Sequence, residues 1–180
     1  KPMKNKEQAN SRREFMIKAA TAAMAGPLLF TNDAVAKIPA GAKLRHAAIG
    51  VGGMGWGDLQ QFKKHASVEI VAICDVDEKN LKRAADLCPG ARTYTDYREL
   101  LKAEQDNIDS VNVTVPDHNH YAIAVQAIRN KKHVYCQKPM CHDVAEVRAL
   151  TKEAVKAGVT TQLGTQIASM MGDRTGVIMI

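Results

Sequence analysis

The stretch Gly50-Val51-Gly52-Gly53-Met54-Gly55 restricts this chain more than any other. It follows the apolar run His46-Ala47-Ala48-Ile49 and opens into helical spacing at Leu59, Phe62 and Ala66. The pattern predicts a strand, a glycine turn and a helix. Gly50 makes the tight turn, Gly52 lets a ligand approach the backbone closely, and Gly55 lets the helix pack down on the strand. The start of such a helix presents free N–H groups and the positive end of its dipole, which suits a pyrophosphate. Gly50, Gly52, Gly53, Met54 and Gly55 are therefore the candidate phosphate cradle for a dinucleotide.

A second signal falls where that cradle requires it. The run Val68 to Cys74 reads as the next strand and ends at Asp75, about 20 residues beyond the turn. A carboxylate there accepts hydrogen bonds from the adenine ribose and repels a 2′-phosphate, so it favours NAD over NADP. The alternative is an ordinary buried strand followed by a helix cap. Further along, Leu81, Ala84, Ala85 and Cys88 form one helical face that ends at Pro89-Gly90. Ala91–Tyr94 is a short strand, and Asp96 caps a brief helix from Tyr97 to Ala103. Ser110–Val115 is a fourth strand, and Asp117 is the expected N-cap of a helix carrying Tyr121, Ala124, Val125 and Ile128. His133–Cys136, a helix from Asp143 to Gly158, and Val159–Leu163 complete the series. Strands alternating with helices predict an α/β fold with a doubly wound parallel sheet. Ligands of such sheets sit beyond the C-terminal strand ends. Gly50–Gly55, Asp75, Pro116–His120 and Gln137–Pro139 all lie at those ends.

Residues 1–36 read as an address rather than as fold. A charged lead precedes Ser11-Arg12-Arg13-Glu14-Phe15-Met16-Ile17-Lys18, then an apolar stretch from Ala19 to Phe30, then Ala34-Val35-Ala36 before Lys37. These are the n-region, h-region and cleavage site of an export signal. The apolar part is shorter than the roughly 20 residues that span a bilayer, and no cysteine near the cleavage region points to a lipid anchor. The paired arginines resemble the twin-arginine export signal S-R-R-x-F-L-K, with Met16 in place of Leu and Lys18 one position late. That resemblance implies the twin-arginine translocation machinery as a partner and a soluble periplasmic product. The route carries folded proteins, so a dinucleotide would travel already bound. The alternative is a basic amphipathic helix with an accidental arginine pair.

Composition excludes other classes. Residues 1–36 supply three of the six net positive charges, so no basic stripe for nucleic acid remains. Aromatic residues are 4% of the chain, too few for a base-stacking platform. Cys74, Cys88, Cys136 and Cys141 show no CxxC pair, and the histidines complete no zinc pattern, so no metal is expected. Cys74 and Cys136, at strand ends, read as small buried hydrophobes. Residues 37–43 read as a linker, 44–164 as the dinucleotide-binding domain, and 165–180 as the start of a further domain. The chain is expected to be a fragment of a longer protein.

Two more motifs complete the pattern: Thr114-Val115-Pro116-Asp117-His118-Asn119-His120 and His133-Val134-Tyr135-Cys136-Gln137-Lys138-Pro139. With Gly50–Gly55 they resemble the N-terminal half of the Gfo/Idh/MocA oxidoreductases over residues 43 to 180. The family patterns are T-P-[ND]-x-x-H and G-K-H-V-x-x-E-K-P. Asp117, His120, Lys138 and Pro139 match; Gln137 stands where Glu is usual, and Val115 and Lys132 also depart. The resemblance implies a Rossmann NAD(P)-binding domain followed by a C-terminal α/β substrate domain, in a homo-oligomer. It implies that Lys138 reaches the nicotinamide ribose and the reacting hydroxyl, with Pro139 in a cis bond that aims it. Lysine suits the task, because an ammonium can hydrogen-bond an oxygen as charge develops and can relay a proton. It places His120 near the cofactor, as a second catalytic candidate, against the alternative of a solvent-facing histidine. Pro116, Asp117, Gln137 and Pro139 join the cofactor-binding set, with Asp117 also a cap and His118 on the surface.

The function expected from these residues is an exported NAD(P)-dependent oxidoreductase. It would pass a hydride between the nicotinamide and a sugar, cyclitol or related polyol. The alternatives are a redox-neutral glycosidase with bound NAD and a nucleotide-binding relative without chemistry. Gln137 favours the last; Lys138 and the intact glycine turn oppose it.

Overall fold

A computed structural model describes residues 41–166. The expectations for residues 1–36 and 167–180 lie outside the described residues. Six strands form one parallel sheet: β1 (Leu44–Ile49), β2 (Val68–Cys74), β3 (Arg92–Tyr94), β4 (Ser110–Val113), β5 (His133–Gln137) and β6 (Thr161–Gly164). Their order is β3-β2-β1-β4-β5-β6. The switch point therefore falls between β1 and β4, whose register pairs His46 with Ser110 and Ile49 with Val113.

Five helices cover the two faces: α1 (Gly53–Lys64), α2 (Glu78–Leu87), α3 (Tyr97–Ala103), α4 (His120–Arg129) and α5 (Val144–Ala157). Strand alternation sends Ala48 and Ile73 into one core with Leu59 of α1 and Ala84 of α2. It sends Ala47, Ile49, Val111 and Val113 into the other, with Leu100 of α3, Ile123 and Ile128 of α4, and Leu150 of α5. Burial on both faces explains the unbroken apolar runs Ala47–Ile49 of β1 and Val71–Cys74 of β2. Asp96 and Asp143 cap their helices as expected, and Asp77 caps α2 in the same way; each accepts a hydrogen bond from a first-turn N–H. At the edge strand, Arg92 and the Tyr94 hydroxyl both bind the buried Glu104 carboxylate, which the Arg92 guanidinium holds below the usual range. Among the described residues no helix is long and apolar enough to cross a membrane.

Two local expectations are corrected. Asp117 does not cap α4. Pro116 leads instead into a single 3-10 turn, Asp117–Asn119, and α4 begins three residues later at His120 with no side-chain cap. The fourth strand stops at Val113, two residues early; Thr114 still donates its N–H to Ile49 O, and its own carbonyl lies against the glycine turn.

That meeting sets the geometry of the junction. Gly50 has φ +82°, and a Cβ on it would overlap the Thr114 carbonyl and lie 2.9 Å from Val115 Cγ1. A Cβ on Gly55 would overlap the Gly50 carbonyl in turn. Gly57, on the same helix, has open space at its Cβ position. Gly55→Ala is expected to destabilise the full-length protein by about 3 kcal/mol or more, through overpacking. Gly57→Ala is expected to stabilise it by about 0.5–1 kcal/mol through helix propensity. Denaturant titration of both variants checks the contrast.

Candidate functional site

The C-terminal ends of the strands open into a cleft of about 800 Å³. The glycine turn forms its floor. The N-terminus of α1 has no side-chain cap and no acidic residue in its first turn, so its first N–H groups stay available to an anion. Gly50, Gly52 and Met54 line the cleft; Gly55 is buried beneath them, and Gly53 is exposed at the helix start. A Cβ on Gly52 would fall 2.6 Å from Asn80 Nδ2, so the floor is also closed from the α2 side.

At one end stands Asp75. Its Oδ2 accepts the backbone N–H groups of Val51 at 2.8 Å and Gly52 at 3.1 Å. Its Oδ1 accepts the Asp77 N–H at 2.9 Å. A carboxylate has about four acceptor positions, so Oδ1 retains room for an incoming hydroxyl. Asp75 thus braces the glycine turn as well as facing the cleft, a task its position in sequence does not reveal. Asp77, Asp96 and Arg98 line the same end, with Arg98 paired to Asp96 at 3.3 Å.

At the other end the loops after β4 and β5 come together. Pro116, Asp117 and Lys138 are exposed on the cleft wall, and the buried Gln137 and His120 also line it. Pro139 follows Lys138 through a cis peptide bond and lies outside the lining. His120 is 1% exposed, so the solvent-facing alternative does not hold. Its Nδ1 faces Pro139 O at 2.5 Å and its Nε2 faces Val115 O at 2.9 Å. Both neighbours only accept, so the ring bonds a carbonyl through a nitrogen that carries a proton; the buried ring lies between the two loops. His118 is exposed, as expected.

Sequence reasoning missed the residue beneath this wall, Asp58. It is 8% exposed. Its Oδ2 accepts Thr114 Oγ1–H at 2.9 Å and Gln137 Nε2–H at 3.0 Å, and its Oδ1 accepts Gln166 Nε2–H at 3.4 Å. The signal was an acid on the apolar stripe of α1, between Gly55 and Phe62. A carboxylate only accepts, so the Thr114 hydroxyl must donate to it and itself accept Asn112 Nδ2–H. Asn112 Oδ1 then faces His46 Nε2, which carries the ring proton, and His46 Nδ1 accepts from Ser110. Every donor in this string points toward Asp58.

The comparisons with known proteins agree with this geometry. The family model described as "Oxidoreductase family, NAD-binding Rossmann fold" matches residues 44–165. The chain belongs to the Gfo/Idh/MocA oxidoreductase family. It is 30% identical over 116 residues to a myo-inositol 2-dehydrogenase of Thermotoga maritima, covering 64% of this chain and 34% of that protein. It is 34% identical over 112 residues to a glycosyl hydrolase family 109 protein of Shewanella woodyi, covering 57% and 24%. The solved myo-inositol 2-dehydrogenase of Lactobacillus plantarum superposes with a TM-score of 0.69 at 28% identity, over 74% of this chain and 40% of that one. The chain thus spans well under half the length of these Gfo/Idh/MocA relatives. The cradle fits NAD: Gly50, Gly52 and Gly55 have no room for a Cβ, the helix start is uncapped, and a carboxylate stands at the ribose end.

Burial lowers the His46 pKa from 6.5 to about 4. The folded state therefore binds fewer protons than the unfolded state between those values, so its stability is complete above pH 6.5 and falls as pH drops toward 4. The loss is about 3 kcal/mol from this residue. His46→Gln keeps a donor and an acceptor but does not titrate, and is expected to flatten that part of the stability–pH curve measured by urea unfolding.

Proposed function

We propose that the full-length protein is an NAD-dependent oxidoreductase acting on a sugar, cyclitol or related polyol. The observation that carries this reading is one cleft with the glycine cradle as its floor, a carboxylate at one end and an exposed lysine at the other. NAD, when bound, supplies the hydride acceptor. The uncapped start of α1 holds the pyrophosphate through backbone N–H groups. Asp75 fixes the turn and takes a ribose hydroxyl, and with Asp77 and Asp96 it disfavours a 2′-phosphate. Lys138 donates to the reacting oxygen and stabilises charge developing there. His120 holds the two loops that frame the lysine. The inositol dehydrogenases among the relatives support a polyol as the substrate class.

The glycosyl hydrolase family 109 relative supports a second reading, redox-neutral glycoside cleavage on the same bound NAD. Release of sugar from an aryl glycoside without net NADH separates it from the first. Titration of the full-length protein with NADH and NADPH tests the cofactor assignment. NADH is expected to bind the tighter, and Asp75→Ala to weaken NADH more than NADPH; equal losses overturn the preference.

We further propose export by the twin-arginine route, supported by Ser11–Lys18 and Ala34–Ala36. Replacing Arg12 and Arg13 together by Lys is expected to leave the full-length protein in the cytoplasmic fraction, and unchanged export would remove the assignment.

A further inference from the structure

Gln137 stands where the family usually has Glu, and the structure gives this exchange a physical cause. The Gln137 side chain is 3% exposed and makes two opposite bonds. Its Nε2–H donates to Asp58 Oδ2 at 3.0 Å, and its Oε1 accepts the Lys138 backbone N–H at 3.1 Å. An amide is the group that satisfies a carboxylate on one side and an N–H on the other. A Glu at 137 would set a second carboxylate against Asp58 inside the protein, where like charges repel strongly.

The amide is also confined. Gln137 pairs in register with Gly164 of β6, and a Cβ on Gly164 would lie 3.0 Å from Gln137 Cδ and 2.8 Å from the Tyr135 hydroxyl. Space on that side limits where the side chain can go. The choice between its two flipped orientations falls to Asp58, which accepts only. Among the described residues the partners of Asp58 are all neutral donors, so its charge is met by hydrogen bonds rather than by a cation. Such charge-assisted bonds are stronger than neutral ones.

We propose that Asp58 is a positioning residue for Lys138, acting through Gln137, and that Asp58 and Gln137 form a matched pair in which acid and amide have fixed places. Asp58 orients the amide, the amide holds the Lys138 N–H, and the buried His120 ring abuts the next carbonyl, Pro139 O, when Nδ1 carries the proton donating to it. Lys138 is thereby gripped through the backbone on both sides, while its own side chain stays exposed on the cleft wall. The role of that lysine toward the substrate rests on the oxidoreductase reading; the grip on its backbone does not.

A charge-transposition cycle on the full-length protein tests the pair. Wild type, Asp58→Asn, Gln137→Glu and the double variant are labelled with acetic anhydride without nucleotide. Acetylation of Lys138 is then counted by mass spectrometry against the surface lysines Lys102 and Lys152, with melting temperature recorded for each. Asn at 58 can present either a donor or an acceptor to the amide, so it no longer fixes one orientation; Glu at 137 creates the buried carboxylate pair. Each single variant is expected to change Lys138 labelling by about fivefold or more, the scale of coupling within one hydrogen-bond network. The double variant restores one acid and one amide, and is expected to lie within about twofold of wild type. Should Gln137→Glu fail to fold, folding of the double variant reports the same rescue. Additive losses in the double variant overturn the pairing. Lower melting temperatures with Lys138 labelling unmoved overturn the positioning role and leave Asp58 structural. Protection of Lys138 by NADH in the wild type is scored separately: its absence overturns the oxidoreductase reading and leaves the cycle intact.

Discussion

Three chain segments meet where no Cβ can be accommodated, and the site depends on that contact. The end of β1, the first turn of α1 and the residue after β4 come together at Gly50, Gly55 and Thr114. Gly50 N–H donates to Cys74 O, and Thr114 N–H donates to Ile49 O. The turn is therefore pinned to both neighbours of β1 at the switch point of the sheet. Because α1 starts flush against the strand end, its N-terminus points into the cleft rather than over it. Asp75 adds a third fixture by taking the Val51 and Gly52 N–H groups. A phosphate cradle built this way is rigid before any ligand arrives, which limits the ordering cost of binding.

Beneath the cradle the sheet face that meets α1 carries a polar string inside an aliphatic core. Ser110, Asn112 and Thr114 alternate along one face of β4 with Val111 and Val113 on the other. His46 lies opposite Ser110, and Phe62 of α1 packs on its ring at 4.4 Å between centroids. Burial keeps His46 neutral, so it relays one donor and one acceptor along the string. The string ends on Asp58, and its charge also helps to hold the Tyr135 phenol above its ordinary value, second to burial. Among the described residues no buried side-chain polar atom lacks a partner. A network of this kind is favourable only when every member is satisfied, so its members must be fixed together.

Much of this was legible in the sequence, because it follows from local periodicity. The glycine spacing, the acid at the end of β2, and the alternation of strands with capped helices each depend on residues close in the chain. What escaped depended on parallel register. The polar alternation Ser110-Val111-Asn112-Val113-Thr114 reads as an aliphatic strand until β1 and α1 are placed beside it. Asp58 reads as a surface acid until the stripe through Gly55 and Phe62 is seen to be buried. Asp117 was expected to cap a helix because Pro-Asp often starts one; here the proline leads into a 3-10 turn. The motif histidine lines the cleft, but the two carbonyls its ring faces lie five and nineteen residues away, out of reach of local periodicity.

The network also explains how the cleft can present Lys138 without a carboxylate at the preceding position. A Glu next to Lys138 could orient the lysine by charge, but it would also offset the positive potential that a developing oxyanion needs. In this chain the negative charge has moved one layer down, to Asp58, and reaches the lysine only as the direction of an amide dipole. Orientation is kept through the backbone, while the ammonium has no adjacent acid at position 137. The carboxylate that remains is held by three neutral donors, Gln137 of β5, Thr114 just after β4 and Gln166 two residues after β6, whose charge-assisted bonds offset the cost of its burial. Binding Asp58 therefore closes α1 against the sheet at the same point where the loop of Lys138 leaves it.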